Sequence, residues 1–468
     1  MTAEAVPLSI HINVGDGVME FEENIPVEAI EVCLHRLMGR IGQKLLGGVI
    51  RVVDDQLVEA VPPGWRNVGT EARWMMSSLG AIRYRRRIYV DEQAQRRKPV
   101  DELFGLPRYG RMSGRLQEMG ASLASQTTYR LAADQLSYLV GTDISPSSLQ
   151  RRVWTVGERI VEGEEAQRQR VFEAGAELEA GSIPAPVLYG ESDGVWIHLQ
   201  REEKRSAEVR VAILSTGRRA VGKDRYRLEN KHAVTAVEVD GLSWQEQILR
   251  EAHMTYNLET TQLLISGGDG NRWVRHSFDR LGLTQHFVLD RFHLQRAARR
   301  ALGGGETARQ VVSRLRQGGL EAVSWELQED LSHSEGQEHQ QLVQFYEYIS
   351  HNRDGLVDLG KRGIPLEPCL GAIEGNVDKL VVHRMKGRGC SWRLRGARAM
   401  LALCRHAEEL RSQAYHYLPL TSPPKTYRQT QVLGVEYDQT VQGSMPIFSG
   451  PDQNQPWVRR LHEWIYGR

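Results

Sequence analysis

The sequence Val-Leu-Tyr-Gly-Glu-Ser-Asp-Gly-Val-Trp-Ile-His-Leu-Gln, residues 187–200, decides the fold of this chain. Apolar residues lead into it, and apolar and polar residues alternate from 195 to 199, which predicts a β-strand. Glu191 and Asp193 lie two residues apart in its middle, so their side chains point to the same face. Because acidic residues are depleted from strands, the pair indicates either a bend or salt-bridged edge strand, or a site that uses carboxylates.

Composition places the chain among ordinary globular proteins. Its 468 residues are 40% hydrophobic and 25% charged, which suggests roughly two to four domains. No apolar run approaches the ~18 residues of a membrane span, and no secretory signal pattern opens the chain, so we expect a cytoplasmic, nucleoid-associated protein without a membrane partner. The four cysteines show no CxxC spacing, which fits a reducing cytosol and argues against a disulfide framework or zinc ribbon.

Positive charge is concentrated locally, although the net charge is only +1. Residues 79–90 alternate like a half-exposed strand that carries Arg83, Arg85 and Arg87 on one face. Such a face is either a solvated surface or a ribbon that contacts phosphates. A second basic stretch, residues 379–411, includes Lys and Arg in a glycine-containing turn. Local patches of this kind are compatible with DNA binding.

A helix-turn-helix outline is predicted between residues 132 and 154. Residues 132–141 have amphipathic spacing and end in glycine, and Ser145 and Pro146 suit the N-cap and first position of a second helix. This outline is typical of DNA-binding motifs, but helical hairpins also occur in proteins that never bind DNA. The residues predicted to face a groove or its phosphates are Ser147, Ser148, Gln150, Arg151 and Arg152.

The order of elements after residue 186 predicts a mixed sheet with helices on its faces. Three strands in succession indicate an antiparallel meander, and later strand-helix-strand units indicate parallel crossovers. The predicted strands cover residues 187–200, 209–214, 233–239, 262–269 and 286–290, with helices at 244–256 and 273–281. Residues 303–366 show no strand pattern and resemble a helical insertion.

Three carboxylates fall at positions that indicate chemistry: Asp193 within the first strand, Asp269 at the end of the fourth, and Glu374 on a helix after the insertion. Taken singly, each is more often a cap, a turn or a salt bridge. Together they would repel without a cation, and hard oxygen ligands select Mg²⁺ or Mn²⁺. Two such ions ~3.5–4 Å apart support phosphoryl transfer.

Asp290 and His293 allow two interpretations. Asp290 caps the following helix with His293 in its first turn, or His293 lies near a scissile phosphate or holds a catalytic carboxylate.

Several motifs resemble bacterial insertion-sequence transposases with an RNase H-like DDE domain, closest to the Lre-type family. The resemblance covers roughly residues 75–410 and is specific only in combination. The matching pieces are Arg86-Arg87-Ile-Tyr89, Ser125-Gln-Thr-Thr-Tyr129-Arg, Glu191-Ser-Asp193-Gly, Gly268-Asp269-Gly-Asn-Arg-Trp273, Leu289-Asp290-Arg-Phe-His293-Leu, Glu374-Gly-Asn-Val, Arg384-Met-Lys and Ser391-Trp392.

The resemblance implies that Asp193, Asp269 and Glu374 form the catalytic, metal-binding triad, with Glu191 and Glu367 as competitors for the third place. It also implies a homo-oligomer, since transposases pair two DNA ends. In the basic turn we expect DNA contacts from Arg384, Lys386, Arg388 and Trp392, the last either a core residue or a stacking partner for an unpaired base.

The sequence hypothesis is therefore a DNA transposase that cuts element ends at terminal inverted repeats and joins them to target DNA. The alternatives are an RNase H-like nuclease or resolvase without strand transfer, and a non-catalytic helix-turn-helix regulator. The expected divisions are an N-terminal region with a basic strand (1–110), a mainly helical DNA-binding region (111–180), an RNase H-like domain (181–302 and 367–412), its insertion (303–366) and a tail (413–468).

Overall fold

A computed structural model describes residues 10–14, 17–21, 27–106, 111–223, 225–364 and 369–407. All of them lie in the first of two compact units, Met1–Ala414; the second, Tyr415–Arg468, is outside the described residues. The expectations for the tail, for Glu367 and for the side chain of Arg388 likewise fall outside them.

The N-terminal region combines one long helix with a small antiparallel sheet. The predicted basic strand is confirmed as the middle strand of three, and a helix from residue 27 to residue 60 packs on that strand. The elements are β1 (Ile10–Val14), β2 (Gly17–Phe21), α1 (Val27–Ala60), β3 (Arg66–Ser77), β4 (Gly80–Val90), β5 (Arg96–Arg97) and α2 (Pro99–Leu103).

The helix-turn-helix outline is confirmed as local structure by α3 (Gly114–Ala124), α4 (Tyr129–Val140) and α5 (Pro146–Phe172). Gly141 ends α4 in the left-handed region with φ 63°, a conformation that costs glycine little. Ser145 caps α5, since its side chain accepts a hydrogen bond from the Ser148 backbone N–H at 3.3 Å, and Pro146 takes the first helical position.

The predicted mixed sheet is also confirmed. Its five strands run in the order β11-β8-β7-β13-β14, with β7 antiparallel to β8, β8 antiparallel to β11, and β13 and β14 parallel to β7. The elements are β6 (Ile183–Pro184), β7 (Val187–His198), β8 (Ser206–Ser215), β9 (Gly217–Gly222), β10 (Arg225–Glu229), β11 (His232–Val237), α6 (Gly241–Thr255), β12 (Tyr256–Asn257), β13 (Leu263–Gly268), α7 (Arg272–Arg275), β14 (Gln285–Leu289) and α8 (Arg291–Leu302).

Strands β9 and β10 are a finding that sequence pattern missed. The basic stretch 218–231 has the composition of a loop, yet β9 and β10 pair antiparallel there as a hairpin. β9, Gly-Arg-Arg-Ala-Val-Gly, shows no alternation, and β10, Arg-Tyr-Arg-Leu-Glu, alternates over only five residues. Backbone pairing between the arms forms this ribbon.

Helices follow β14. Residues 303–364 contain α9 to α12 and no strand, and a cluster of their apolar side chains packs on Phe287 and Leu289 of β14. A π-helical turn, Asp378–Lys386, continues α13. The elements are α9 (Glu306–Gly318), α10 (Ser324–His333), α11 (Gly336–His351), α12 (Arg353–Leu356), α13 (Ile373–Val377) and α14 (Leu394–Arg405).

One apolar core joins α3, α4 and α5 to β7, β8 and α14. Helices α5 and α14 approach each other closely in this core. A Cβ atom added at Gly157 would lie 2.3 Å from the Ala399 carbonyl oxygen, and one at Gly396 would lie 2.6 Å from the Trp154 ring. Glycine is therefore required at both positions for the two helices to pack. Among the described residues, no helix has both the length and the apolar character needed to cross a membrane.

Candidate functional site

Three aspartates meet at one edge of the central sheet, on neighbouring strands. Asp193 lies in β7 two residues beyond Glu191, which pairs with Gly267 of β13. Asp269 directly follows β13, and Asp290 directly follows β14 and donates its backbone N–H to the Gly268 carbonyl at 2.8 Å. Because parallel strands end at the same edge, all three side chains are carried to one place.

Asp193 is a half-buried carboxylate with few compensating contacts. Its Oδ1 accepts a hydrogen bond from the backbone N–H of Gly194 at 2.7 Å. Burial raises the pKa of Asp193, the charges of Asp269 and Asp290 raise it further, and Gly194 and His293 oppose the change. Since the net pKa shift is upward, ionised Asp193 is unfavourable here unless positive charge is supplied.

Asp269 is fixed by the turn that follows β13 and by the helical insertion. Its Oδ1 accepts a hydrogen bond from the Asn271 backbone N–H at 2.9 Å, and its backbone oxygen accepts one from the Tyr348 hydroxyl of α11 at 2.8 Å. Gly270 has φ 84°, and a Cβ there would lie 2.7 Å from the Asn352 amide. The insertion therefore holds the end of β13 tightly against its own helices.

Asp290 and His293 confirm the capping interpretation of their motif, and the functional interpretation stays a prediction. Asp290 caps α8, because its Oδ1 accepts from the His293 backbone N–H at 2.9 Å, and the same oxygen lies 2.8 Å from His293 Nδ1. Burial alone would raise the pKa of Asp290, but the hydrogen bonds and charge of His293 hold it below its usual value. The pKa of His293 is raised, chiefly by Asp290 against the effect of burial, and then by Asp269 and Asp193.

Glu191 has a different environment from Asp193. It is 5% exposed, and its carboxylate accepts hydrogen bonds from the backbone N–H groups of Gly371 at 2.6 Å and Ala372 at 3.1 Å. Burial raises its pKa, and those two donors oppose the rise. Glu191 thus anchors the segment that leads into α13, a role that sequence alone did not identify.

Glu374 lies in the first turn of α13 with an exposed side chain. The charges that act most on Asp193 are those of Asp269, His293 and Asp290. The structure therefore brings together Asp193, Asp269, Asp290 and His293, and does not bring Glu374 to them.

The donor set fits a divalent cation in type and charge. Asp193 and Asp269 supply the oxygen ligands that Mg²⁺ and Mn²⁺ prefer. Burial first, and then the charges of Asp269 and Asp290, raise the pKa of Asp193, and a bound cation would offset both effects. In number the set is incomplete, since no group of three or more His, Cys, Asp or Glu is placed to hold a metal ion within the described part of the chain. The two aspartates form a pair of ligands that needs a third.

The arginines of β4 have protein partners. Arg87 pairs with Asp54 and Asp55 of α1, each at 2.7 Å, while the exposed Arg85 donates to the Thr70 hydroxyl at 3.2 Å. Arg86 is 4% exposed and pairs with Asp101 and with Glu71. The charges of Arg86 and Arg87 are thereby neutralised within the protein, whereas Arg83 and Arg85 stay exposed without an acidic partner among the described residues.

The start of α5 is open to solvent. Ser147 and Arg151 are exposed and Gln150 and Arg152 are partly exposed, and Arg151 Nε donates to the Ser147 carbonyl at 3.3 Å. These side chains remain accessible for the contacts predicted from the sequence.

Arg384 and Trp392 lie inside the protein, each 5% exposed, where we had expected a DNA-contacting surface. The Arg384 guanidinium carbon is 5.1 Å from the centre of the Tyr129 ring and 4.9 Å from that of Trp392, and its Nε donates to the Ala124 carbonyl. Two ring faces and a carbonyl offset the desolvation of this cation. Lys386, in contrast, is exposed as expected.

These features define a mixed α/β protein whose central sheet carries a cluster of aspartates at one edge. Residues 21–411 match the uncharacterised protein family UPF0236, and the chain belongs to that family. No curated protein matches the chain. Among solved structures, the Drosophila P element transposase strand transfer complex is similar over 67% of this chain and 82% of that chain, at 10% identity and a TM-score of 0.21. That TM-score is below the level that indicates a shared fold.

Proposed function

We propose that this chain is a DNA transposase that cuts the ends of an insertion sequence and joins them to target DNA by metal-dependent phosphoryl transfer. The observation that carries the proposal is the pair Asp193 and Asp269 on adjacent parallel strands, close enough that Asp269 raises the pKa of Asp193. The sheet order supports an RNase H-like domain, with β7 central, the antiparallel-paired strands β8 and β11 on one side and the parallel strands β13 and β14 on the other.

In this proposal Asp193 and Asp269 hold Mg²⁺ or Mn²⁺, as two ions. Glu374, which lies outside the cluster in this structure, would supply the third carboxylate by moving toward the aspartates when metal and DNA bind. The bound ions would activate the attacking oxygen and stabilise the leaving one. Asp290 holds His293 beside the aspartates, and the raised pKa of His293 keeps its ring protonated to higher pH than usual. A protonated ring there offsets the repulsion among the carboxylates and favours the approach of a phosphate.

The decisive experiment is Mg²⁺-dependent cleavage of a duplex carrying the element end, with wild type, Asp193→Asn and Asp269→Asn. Each variant should lose at least about a hundredfold of the rate, more than the loss of an outer-shell partner costs. Asp279→Asn is the matched control. Asp279 is exposed and is not part of the cluster, and its Oδ2 lies 2.8 Å from Nδ1 of His276. Full cleavage by the Asp193 or Asp269 variant would refute the proposal.

A second assay uses pre-cleaved ends and separates strand transfer from simple hydrolysis. Joined product is expected from the wild type, whereas cleavage without joining would identify a nuclease or resolvase. Binding to the element end without any Mg²⁺-dependent hydrolysis would identify a regulator instead.

A further inference from the structure

The basic hairpin, residues 217–231 with β9 and β10 as its arms, is a concentrated positive surface that the predicted contacts did not include. Its only acids are Asp224 and Glu229. Most of its side chains are exposed. Its basic residues are Arg218, Arg219, Lys223, Arg225, Arg227 and Lys231.

The strand register places two of these arginines directly against each other. Arg219 of β9 pairs with Arg227 of β10, so both side chains extend from the same face of the ribbon. Both are exposed, and within the described part of the chain neither they nor Arg225 form an ion pair. Like charges directly opposite each other destabilise a ribbon. An external anion that bridged the pair would remove this repulsion.

The opposite face carries an exposed aromatic ring under a guanidinium. Tyr226 is 59% exposed, and the Arg218 guanidinium carbon lies 4.6 Å from the centre of its ring. This contact restrains the two side chains on the face opposite Arg219 and Arg227. One face of the hairpin is therefore partly ordered by its own residues.

The base of the hairpin is fastened to the rest of the protein. The Thr216 backbone N–H donates to the Glu229 carbonyl at 3.1 Å, and the Tyr256 hydroxyl donates to the Asn230 carbonyl at 2.6 Å. Lys231 Nζ donates to Asn376 of α13 at 3.2 Å. Because these contacts preorganise the ribbon, binding of a partner costs little conformational entropy in the hairpin.

The hairpin joins the central sheet beside the start of β7. Strand β8 ends at Ser215, which pairs with Tyr189, four residues before Asp193 on β7. Four strand residues span roughly 13 Å, and Arg219 lies four residues beyond Ser215, which adds at most roughly another 13 Å. A turn of duplex DNA is about 34 Å long, so one turn of duplex is long enough to extend from the hairpin to the cluster.

We propose that the basic hairpin binds the phosphate backbone of duplex DNA and guides it toward Asp193 and Asp269. The choice of DNA as partner rests on the proposed function. It also agrees with charge density, because a duplex presents one negative charge per ~1.7 Å of its axis. Two directly opposed arginines with Arg225 beside them match an anion of that density, and the contacts carry no sequence information.

The test compares the full chain with the double variant Arg219→Gln/Arg227→Gln. Fluorescence anisotropy with a labelled duplex, in EDTA and at several salt concentrations, gives the dissociation constant and its salt dependence. Loss of two phosphate contacts should lower the slope of log K against log salt by about 1.8 and weaken binding several-fold at low salt. The charge-matched control is Arg309→Gln/Arg353→Gln, two exposed positions on α9 and α12, which should leave the slope unchanged.

The outcomes separate this proposal from the proposed function. Unchanged affinity and slope in the hairpin variant, or no duplex binding by the wild type, would overturn the hairpin proposal. Hairpin-dependent binding by a wild type that never cleaves DNA in Mg²⁺ would support the hairpin and overturn the transposase. Thermal unfolding serves as the folding control, and we expect the hairpin variant to melt at or above the wild-type temperature because the opposed charges are gone.

Discussion

Two acids, Glu191 and Asp193, lie on one face of β7, and we call their positions the inner and the outer part of that face. Their surroundings differ sharply although they lie only two residues apart. In the inner part, Glu191 is 5% exposed and receives two backbone hydrogen bonds from the start of α13. In the outer part, Asp193 receives one, from its own neighbour, and faces Asp269 and Asp290. Burial raises the pKa of both carboxylates, but the fold supplies hydrogen-bond donors to the first and further negative charge to the second. Both acids lie in one short stretch of one strand, so the partner elements decide which acid is structural.

Replacing Glu191 by Ala should give the largest effect on stability. The change removes two hydrogen bonds to a charged group and leaves the N–H groups of Gly371 and Ala372 unpaired, so we expect a loss of about 3 kcal/mol in the free energy of unfolding. Urea denaturation measures it, with Asp193→Ala as the control. Equal losses in the two variants would remove the contrast between the inner and outer parts.

Asp193→Asn should raise the free energy of unfolding, whereas Glu191→Ala lowers it. Because the folded protein raises the pKa of Asp193, its ionised form costs stability at every pH above its unfolded pKa of about 3.8. In EDTA at pH 7 the variant should be more stable by about 1 kcal/mol, a gain often seen when a strained functional residue is replaced. The gain should disappear as the pH falls below about 4, where the carboxyl is protonated in both states. Destabilisation at pH 7 would contradict the pKa argument.

His293→Gln tests the contribution of the protonated His293 ring, which acts on Asp193 in the outer part. The raised pKa of His293 means that its stabilising effect is fully present below its unfolded value of about 6.5 and is lost as pH rises through the higher folded value. The lowered pKa of Asp290 means that its own contribution is lost as pH falls below about 3.8. The free energy of unfolding of the wild type should therefore exceed that of the variant by about 1 kcal/mol or less near pH 5.5. The difference should be smaller at pH 8.5. Unfolding at those two pH values measures the difference, and a difference that grows with pH would be contrary to this account.

Glu374→Gln should produce the smallest effect on stability, within about 0.5 kcal/mol, because the side chain is exposed. The same variant separates structure from chemistry. If Glu374 is the third ligand, Mg²⁺-dependent cleavage falls sharply while the melting temperature stays constant. Normal cleavage would remove Glu374 from the proposed triad.

Much of the sheet and its aspartates could be predicted because the determining patterns are local. The alternation from 195 to 199 predicted the outgoing half of β7, and the apolar runs before Asp269 and Asp290 predicted β13 and β14. Ser145 and Pro146 likewise predicted the start of α5. In each case the residues that cause the element lie within it or beside it.

The rest depends on partners distant in sequence. Arg384 lies in a basic turn, and only the fold brings Tyr129 and the Ala124 carbonyl, about 260 residues earlier, around its guanidinium. Arg87 is neutralised by Asp54 and Asp55 for the same reason. A charge in the sequence therefore shows neither its exposure nor its net electrostatic effect.

The contact between α5 and α14 has a consequence for dividing this chain into fragments. Gly157 and Gly396 lie far apart in sequence, yet each leaves space that the other helix fills. A fragment that began after α5 would uncover the faces of α14 and β8 that now share a core with it. Such a fragment is expected to aggregate on expression, since it would expose a contiguous apolar surface to water. Soluble production of the aspartate-bearing sheet therefore calls for a chain that keeps the helices from residue 114 onward.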